Sequence, residues 1–217
     1  MNRPTPPVSP RTRPLKRPRQ ARAKFTVQAI YDAYVRIWQR DGWDQLTTRK
    51  VALETGIAVG TLYDYFPSKE ALHSGYVRHC IEQMLERIET RVVAPTDLCW
   101  RQRIQGLIRN LAGLEADNRT WFPPVMMQLE PRVADLRHQR RAYDELLEIW
   151  HRVFDVCTDL NPRPSADTIE ALHLAVWGGR RYALQVELDE ARCRAWASAM
   201  ERLCLLAVGN PSQAPHQ

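Results

Sequence analysis

The stretch from Thr47 to Lys69, with the sequence TTRKVALETGIAVGTLYDYFPSK, constrains what this chain can fold into more than any other segment. Its first part has apolar residues at helical spacing, and a threonine hydroxyl at its start can cap a short helix. Gly56 follows, where a residue without a Cβ can adopt a positive φ angle and reverse the chain. A second short helix then runs from about Val59 to Phe66, and Pro67 ends it. The stretch therefore predicts two short helices joined by a tight turn.

The second of these helices has one buried side and one open side. Leu62 and Phe66 are four residues apart and point inward together, so the residues between them face away from the core. Two short helices with a turn of three or four residues satisfy the geometry of a helix-turn-helix, whose second helix enters the major groove of DNA. Any compact helical hairpin shares this geometry, so the pattern alone leaves DNA binding and plain packing equally open.

The residues of the stretch are more specific than its geometry. GTLYDYFPSKEAL, preceded by TTRKVALETGI, resembles the DNA-binding segment of the tetracycline-repressor (TetR) family of bacterial regulators. The resemblance covers residues 25 to about 80 well, and the rest of the chain only in the count and length of its helices. It implies an all-α fold of about nine helices, in which a three-helix DNA-binding domain precedes a helical domain that binds an effector and dimerises. Two positions depart from the commonest pattern, since Ala58 replaces a frequent serine and Val59 a frequent polar or basic residue.

The open face of the second helix gives the candidate DNA contacts. We expect Thr61 and Tyr63 to touch bases or lie close in the groove, and Tyr65 and Lys69 to hold phosphates. The expected partner is double-stranded DNA with a palindromic operator. The full set of candidates is Arg22, Lys24, Thr47, Thr48, Arg49, Gly60, Thr61, Tyr63, Asp64, Tyr65 and Lys69.

Positive charge is concentrated at the N-terminus. The net charge of the chain is +6, yet residues 1–24 hold eight basic residues, six prolines and no acid, which leaves 23 basic against 25 acidic residues elsewhere. Because proline prevents helix and sheet, this segment predicts a disordered basic arm. Such an arm can lie along phosphates or reach a minor groove, or it can be a solubilising tail; its position beside the DNA motif favours the arm.

The rest of the chain is organised into helices without strand alternation. With 217 residues and 44% hydrophobic content it can form one large or two modest domains. We expect a DNA-binding domain over 25–67, an effector and dimerisation domain over 68–210, and a tail over 211–217. Beyond residue 67 the apolar spacing predicts five helices. The first covers 68–94, the second covers 96–115, and the third ends at about residue 159. The fourth starts just after Ser165, and the fifth ends at Gly209.

Composition excludes several classes of protein. No run is long and apolar enough to cross a bilayer, and the N-terminus lacks a signal-peptide core, so we expect a cytoplasmic protein with no membrane partner. The five cysteines are odd in number and widely spaced, which favours buried free thiols over disulfides or a metal site. We expect neither a metal nor a cofactor.

The last two helices carry wide apolar faces. In the TetR family the equivalent pair forms a four-helix bundle with its twin across a two-fold axis, so the resemblance implies a homodimer. The residues expected at that interface are Ile169, Leu172, Val176, Gly179, Ala183, Trp196, Met200 and Leu203.

Large soft side chains with a few polar neighbours recur through the C-terminal half. For any one of them ordinary core packing is the better explanation, and only the group supports a pocket. Its composition fits an apolar or aromatic effector with one or two hydrogen-bonding groups, and the proline-broken segment 121–129 is a candidate gate. The candidate pocket residues are Trp100, Gln105, Trp121, Phe122, Met126, Gln128, Tyr143, Trp150, His151, Phe154, His173 and Trp177.

Three classes of function remain. The leading one is a homodimeric, ligand-responsive transcriptional regulator, more consistent with a repressor, that leaves its operator when an effector repositions the helix starting at Ser68. A ligand-independent DNA-binding or scaffold dimer would instead have a filled C-terminal core. An enzyme has the weakest support, because the sequence has no Gly-rich phosphate loop, metal-ligand spacing or nucleophile elbow.

Overall fold

The computed structural model describes residues 21–114, 126, 129, 133 and 136–209. Over these residues all regular secondary structure is helical, which confirms the all-α prediction. In chain order the elements are α1 (Ala21–Gln45), α2 (Thr48–Thr55), α3 (Val59–Tyr65), α4 (Lys69–Ile88), a π-helix (Glu89–Val93), α5 (Trp100–Ala112), α6 (Leu136–Asp155), α7 (Ala166–Gln185) and α8 (Glu190–Gly209).

The chain divides into two compact units. The first contains the described residues up to His79 together with Val133, and the second contains the other described residues from Cys80 onward. α4 is therefore shared, with its first half in one unit and its second half in the other. Residues 1–20 of the expected arm and the tail over 211–217 lie outside the described residues, so the predicted domain limits remain predictions.

The first unit has an aromatic and aliphatic core under the two short helices. Ile30 and Ile37 of α1 are fully buried, and the ring of Tyr31 lies 5.7 Å from the ring of Phe66. α1 begins at Ala21, four residues before the start expected at Phe25, so the helix includes the last residues of the proposed arm. Gly42, with a φ angle of 76°, interrupts α1 near its end.

The second unit is built around α5, which packs against α6, α7 and α8. Its core is a single cluster of buried side chains in which apolar residues from every one of these helices meet. Ile104, Leu107 and Leu111 of α5 are fully buried, at the three- and four-residue spacing of one helical face. The predicted apolar stripe of this helix is therefore present.

Arg103 of α5 fastens the π-helix that follows α4. Its guanidinium donates to the main-chain carbonyls of Val92, of Val93 at 3.1 Å and of Pro95 at 2.6 Å. Gly106, one turn further along α5, faces the same segment, and a Cβ there would lie 2.9 Å from a methyl of Val92. The widened turn after α4 is thus held by side-chain bonds and by close backbone approach.

Two helix ends differ from those expected, namely the start of α5 and the end of α6, and a contact between Trp100 and Asp159 joins them. α5 begins at Trp100 rather than near Thr96, because Cys99 is extended and its N–H donates to the side chain of Gln102 at 3.0 Å. The carboxylate of Asp159 accepts the N–H of Trp100 at 3.0 and 3.1 Å. Asp159 therefore lies in the turn after α6 and caps α5, instead of ending α6 as the sequence predicted.

Candidate nucleic-acid interface and effector domain

The turn between α2 and α3 is formed by local capping. Thr47 is the extended N-cap of α2, and its hydroxyl accepts the N–H of Lys50 at 3.2 Å. Gly56 ends α2 with a φ angle of 74°, and the N–H of Ile57 donates to the carbonyl of Ala52 at 3.1 Å. A left-handed residue at this position satisfies the last carbonyls of α2 and turns the chain. The helix-turn-helix predicted from the sequence is present.

The exposed face of α3 lies where the spacing places it. Leu62 and Phe66 are buried in the first unit, whereas the side chain of Tyr63 is 45% exposed and Asp64 is exposed. At Gly60 an added Cβ would meet nothing within 4 Å, so the start of α3 presents bare backbone to its surroundings. This combination allows α3 to approach a surface closely along one face.

Tyr63 is held in place by α2. Its hydroxyl lies 3.1 Å from the hydroxyl of Thr48, so a hydrogen bond joins the first turn of α2 to the outward ring of α3. Thr61, which precedes Tyr63 by two residues in α3, is half-buried. A ring that is ordered before it meets a partner loses less conformational entropy on binding. Both Tyr63 and Thr48 are candidate DNA contacts from the sequence, but nothing in the sequence indicates that their hydroxyls bond to each other.

Lys69 is less free than the sequence suggested. Its ammonium donates to the main-chain carbonyl of Trp43 at 3.4 Å and lies 4.5 Å from the centre of the Trp43 ring. An ammonium has three donors, so one contact to a carbonyl leaves two for a phosphate. Tyr65, the other expected phosphate contact, is half-buried with its ring centre 6.4 Å from that of Phe66.

Several basic side chains beside α2 are engaged in exposed ion pairs. Glu54 accepts from Arg36 at 2.9 Å and from Arg40 at 3.2 Å, and Asp41 accepts from Arg40 at 2.9 Å and from Lys50 at 3.4 Å. Hydrogen bonding from Arg36 lowers the pKa of Glu54, and hydrogen bonding from Arg40 lowers the pKa of Asp41. Such pairs stabilise the fold little, but the two carboxylates offset the charge of three cations and leave about one net positive charge on this surface.

Three further basic candidates stand apart from these pairs. Arg49, in the first turn of α2, is exposed and has no ion-pair partner among the described residues. Lys24 is exposed on α1. Arg22 also belongs to α1, although its side chain lies outside what the structure describes.

Four of the predicted pocket residues come together between α6 and α7. The ring of His173 lies 4.9 Å from that of Tyr143 and 6.4 Å from that of Trp150, and Trp150 stacks on Phe154 at 6.4 Å. Trp150 and His173 are fully buried. The indole N–H of Trp150 and both ring nitrogens of His173 have no hydrogen-bond partner among the described residues. The predicted grouping of these aromatic side chains is therefore found, and with it a polar interior.

The charge state of His173 follows from its surroundings. Burial lowers the pKa of His173 to about 4, against a smaller opposing effect of the Glu170 carboxylate. The ring is therefore neutral at pH 7 and offers one donor and one acceptor. Glu170 itself accepts a hydrogen bond from the hydroxyl of Tyr143.

The remaining pocket candidates are distributed around the same core. Met126 is buried, and Trp100 and Trp177 pack partly against the core cluster. Gln105 and His151 are half-buried. The other candidates, and most of the proposed gate, lie outside the described residues: Trp121, Phe122 and Gln128.

An open groove of about 510 Å³ lies between the second half of α4 and α6. Leu85, Ile149 and Arg152 line it together with five acidic residues, and most of the surface that the groove exposes is apolar. The acidic residues are Glu86, Glu89, Asp144, Glu145 and Glu148. Because this groove is open and is not lined by the aromatic residues predicted for the pocket, the predicted pocket stays a prediction.

The residues predicted for a dimer interface mostly face inward. Ile169, Val176 and Ala183 are buried in the core of the chain itself, and Leu172 and Met200 pack partly against that core. A Cβ on Gly179 would lie 2.8 Å from the ring of Trp196 of the same chain, so this glycine allows α7 and α8 to approach each other. The chain itself covers the buried members of this stripe, and its assignment to a partner chain stays a prediction, because helical spacing identifies an apolar face without saying what covers it.

A second apolar stripe on the same two helices faces outward. Leu203, the exception in the predicted set, is 56% exposed, and Leu206 on the next turn of α8 is 61% exposed. On α7 the exposed members are Leu174 and Tyr182. Exposed large apolar side chains at helical spacing indicate a surface that a partner covers.

The cysteines agree only in part with the expectation of buried free thiols. All five cysteines are free thiols, and burial raises the pKa of Cys157 to about 11 and that of Cys204 to about 12. Cys99 is exposed, contrary to the prediction that the thiols are buried. Over the described ranges no cluster of three or more metal-ligating side chains occurs, and no helix there has the length and apolarity to span a membrane.

Over the described residues, one helical unit with a helix-turn-helix and a second helical unit with its own core define the architecture of a helix-turn-helix protein with an appended helical domain. Residues 22–74 match the family model for bacterial regulatory proteins of the tetR family. This segment is therefore a tetR-family DNA-binding domain, as the resemblance of the sequence implied.

Relatives and solved structures agree with this assignment. The fatty acid metabolism regulator protein of Bacillus subtilis is 26% identical over 137 residues, which cover 63% of this chain and 67% of the relative. Among solved structures, FadR from Bacillus subtilis in complex with stearoyl-CoA matches with a TM-score of 0.59 and 19% identity, over 83% of this chain and 96% of that one. SmeT in its triclosan complex matches with a TM-score of 0.60 and 18% identity, over 89% of this chain and 98% of that one. At such identities the structural similarity establishes the shared fold.

Proposed function

We propose that this TetR-family regulator is a homodimeric repressor that binds a palindromic operator through α3 and releases it when a hydrophobic or aromatic effector binds the second unit. The open face of α3 is the observation that carries the DNA-binding part. Its bare start at Gly60 permits close approach to a groove, and the Tyr63 ring is ordered by Thr48. Two such helices related by a two-fold axis read two half-sites of one palindrome.

The contacts to DNA divide into those that read sequence and those that hold phosphates. Thr61 and Tyr63 project from α3 and contact bases, while Arg49 and Lys69 flank the helix and bind phosphates. Arg49 has the freer charge of the two, because Lys69 already contacts Trp43. Lys69 begins α4, so a change in this helix moves a phosphate contact directly.

The effector site is proposed at the aromatic cluster of the second unit. The fully buried indole N–H of Trp150 and the ring nitrogens of His173 have no partner among the described residues, and a ligand with one or two hydrogen-bonding groups would supply them. The ligands bound to the two relatives, stearoyl-CoA and triclosan, each have a large apolar part. This chemistry suits an environment made of aromatic rings.

A ligand-independent dimer is the second candidate. It is favoured by the tight packing of Trp150 and Phe154, which the chain itself buries. A screen of small molecules against the protein–operator complex separates the two candidates. A compound that raises the melting temperature of the protein and lowers its operator affinity supports the sensor, whereas a library that does neither favours the ligand-independent dimer.

Selection of operators from random DNA, followed by comparison of variants, tests the DNA-binding proposal. Tyr63→Ala should alter the ranking of operators, at a cost of about 1–3 kcal/mol for the preferred sequence. Lys69→Ala should weaken all sequences alike and reduce the slope of log affinity against log salt by about 0.9. Arg101→Ala, which removes an exposed cation from α5, is the matched control and should change neither. If Tyr63→Ala and Lys69→Ala both leave operator affinity untouched, DNA is not bound through this face.

A further inference from the structure

The groove between the second half of α4 and α6 combines apolar surface with negative charge. Five carboxylates and one guanidinium line it, so the lining has a formal charge of −4. Leu85 and Ile149 contribute apolar side chains, and most of the surface that the groove exposes is apolar. A cleft that is lined by charge of one sign and has apolar walls concentrates ions of the opposite sign. The groove therefore favours a positively charged ligand that also has an apolar part.

The chain itself compensates only part of this negative charge. The ion pairs of the lining carboxylates are Glu89–Arg152 at 2.5 Å, Asp144–Arg140 at 3.2 Å and Glu145–Arg141 at 2.8 Å. The carboxylates of Glu86 and Glu148 have neither an ion-pair partner nor a hydrogen-bond partner among the described residues. Glu86 belongs to α4 and Glu148 to α6. Each wall of the groove thus contributes one uncompensated negative charge.

The ion pair of Glu89 with Arg152 lies at one end of the groove. Glu89 begins the π-helix after α4 and Arg152 lies in the last turn of α6, and these two elements pack against each other. Arg152 bonds to Oε1 of Glu89, whereas Oε2 is buried and has no hydrogen-bond partner in the part of the chain that the structure describes. Buried polar atoms are normally hydrogen-bonded. A ligand with an N–H donor at this end of the groove would supply the missing partner.

A solvated helix face explains only part of this arrangement. Asp144 and Glu145 each pair with an arginine four residues earlier, as side chains on exposed helices commonly do. A solvated face does not explain why carboxylates of two helices line one concave space of about 510 Å³. That volume lies within the range of sites for small molecules.

The groove is separate from the aromatic cluster of the second unit. Glu145, Glu148 and Arg152 recur at three- and four-residue spacing along α6, so they lie on one side of it. Tyr143 and Trp150, which contact the ring of His173, are seven residues apart and lie on the opposite side. The groove is therefore a second candidate site, whose existence does not depend on the proposed effector function.

We propose that this groove binds an organic amine with an apolar body. The protonated amino group lies beside Glu86 and Glu148, where it compensates their charge and has N–H donors to spare for Oε2 of Glu89. The apolar body covers the surface to which Leu85 and Ile149 contribute. A body of one or two aromatic rings fits the volume of the groove.

Three probes that share a naphthalene body test the proposal by isothermal titration of the full-length protein. 1-Naphthylmethylamine carries a protonated amino group at neutral pH, 1-naphthalenemethanol is uncharged, and 1-naphthoate is an anion. The titrations are made at low ionic strength, because salt screens exposed charges. We expect the amine to bind at least about ten times more tightly than the alcohol, a difference of about 1.4 kcal/mol, and the anion to bind most weakly. An amine that binds no better than the alcohol, or does not bind, overturns the proposal.

Variants of the two uncompensated carboxylates locate the bound amine. Glu86→Gln and Glu148→Gln break no ion pair within the described ranges, so the fold should persist. Each should weaken the amine several-fold and leave the alcohol unchanged, and the double variant should abolish the preference. Asp97→Asn, at an exposed position outside the groove lining, is the matched control and should retain it.

A preference for the amine that survives the double variant overturns the proposal, because the amine then binds elsewhere. Loss of the preference in Asp97→Asn as well would also overturn it, since the effect would then follow the overall charge of the protein. These titrations contain no operator DNA and leave the aromatic cluster unchanged. Their failure is therefore distinguishable from a failure of the proposed regulator function.

Discussion

His173 gives the protein a dependence of stability on pH whose size follows from its burial. The ring lies fully buried between the rings of Tyr143 and Trp150, where an imidazolium would lose its hydration. Its pKa is therefore about 4 in the folded chain, against an ordinary value of 6.5. The unfolded chain, in which the ring is hydrated, keeps the ordinary value.

The sign of the effect follows from proton uptake. Between pH 6.5 and pH 4 the unfolded chain binds a proton that the folded chain does not, so acidification favours unfolding. The contribution of His173 to folding is complete above pH 6.5 and is lost progressively as the pH falls towards 4. With about 1.36 kcal/mol per pKa unit, the total loss is about 3 kcal/mol, of which about 2 kcal/mol falls between pH 7.5 and pH 5.0.

Urea unfolding of the wild type and of His173→Phe at these two pH values measures the effect, with protein concentration held fixed because a dimer unfolds in a concentration-dependent way. Phenylalanine keeps an aromatic ring beside Tyr143 and removes two nitrogens that have no partner among the described residues. The variant should therefore be at least as stable as the wild type at pH 7.5. The wild type should lose about 2 kcal/mol more than the variant on acidification to pH 5.0. Equal losses in the two proteins would refute the reasoning.

Two further predictions concern the turn and the outward apolar face. Gly56→Ala should destabilise the protein by about 1–2 kcal/mol, because residue 56 has a positive φ angle. Gly60→Ala, at an unobstructed helical position, should leave the stability unchanged or raise it by at most about 1 kcal/mol. Thermal unfolding that finds equal effects of the two substitutions contradicts the turn argument. Leu206→Glu should leave the monomer fold intact and shift sedimentation from dimer to monomer by burying an unpaired charge at the interface, whereas Val176→Glu should unfold the chain. A wild-type protein that sediments as a monomer at micromolar concentration would rule out the dimer.

The parts of the fold that sequence predicted well depend on neighbours in the chain. The cap at Thr47 and the left-handed turn at Gly56 are decided within a few residues, so the α2–α3 unit could be placed from sequence alone. By contrast, α5 is capped by Asp159, 59 residues away along the chain, and no local signal marks that partner. Long-range partners of this kind are fixed only when the helices assemble.

The candidate sites were also predictable from the sequence where local contacts decide the geometry, and not where packing between helices decides it. The open face of α3 was predicted because burial of Leu62 and Phe66 sets the direction of everything between them. The dimer interface on α7 and α8 stays a prediction, since both sides of these helices carry apolar residues and spacing does not reveal which side the chain buries itself.

The attachment of the π-helix to Arg103 fixes the C-terminal end of α4 within the second unit. Three main-chain carbonyls just beyond that end are bound to a guanidinium on α5, so the end resists displacement. A hydrogen bond to a charged group contributes about 1.5–3 kcal/mol. Moving this end of α4 away from α5 therefore means breaking three such bonds at once.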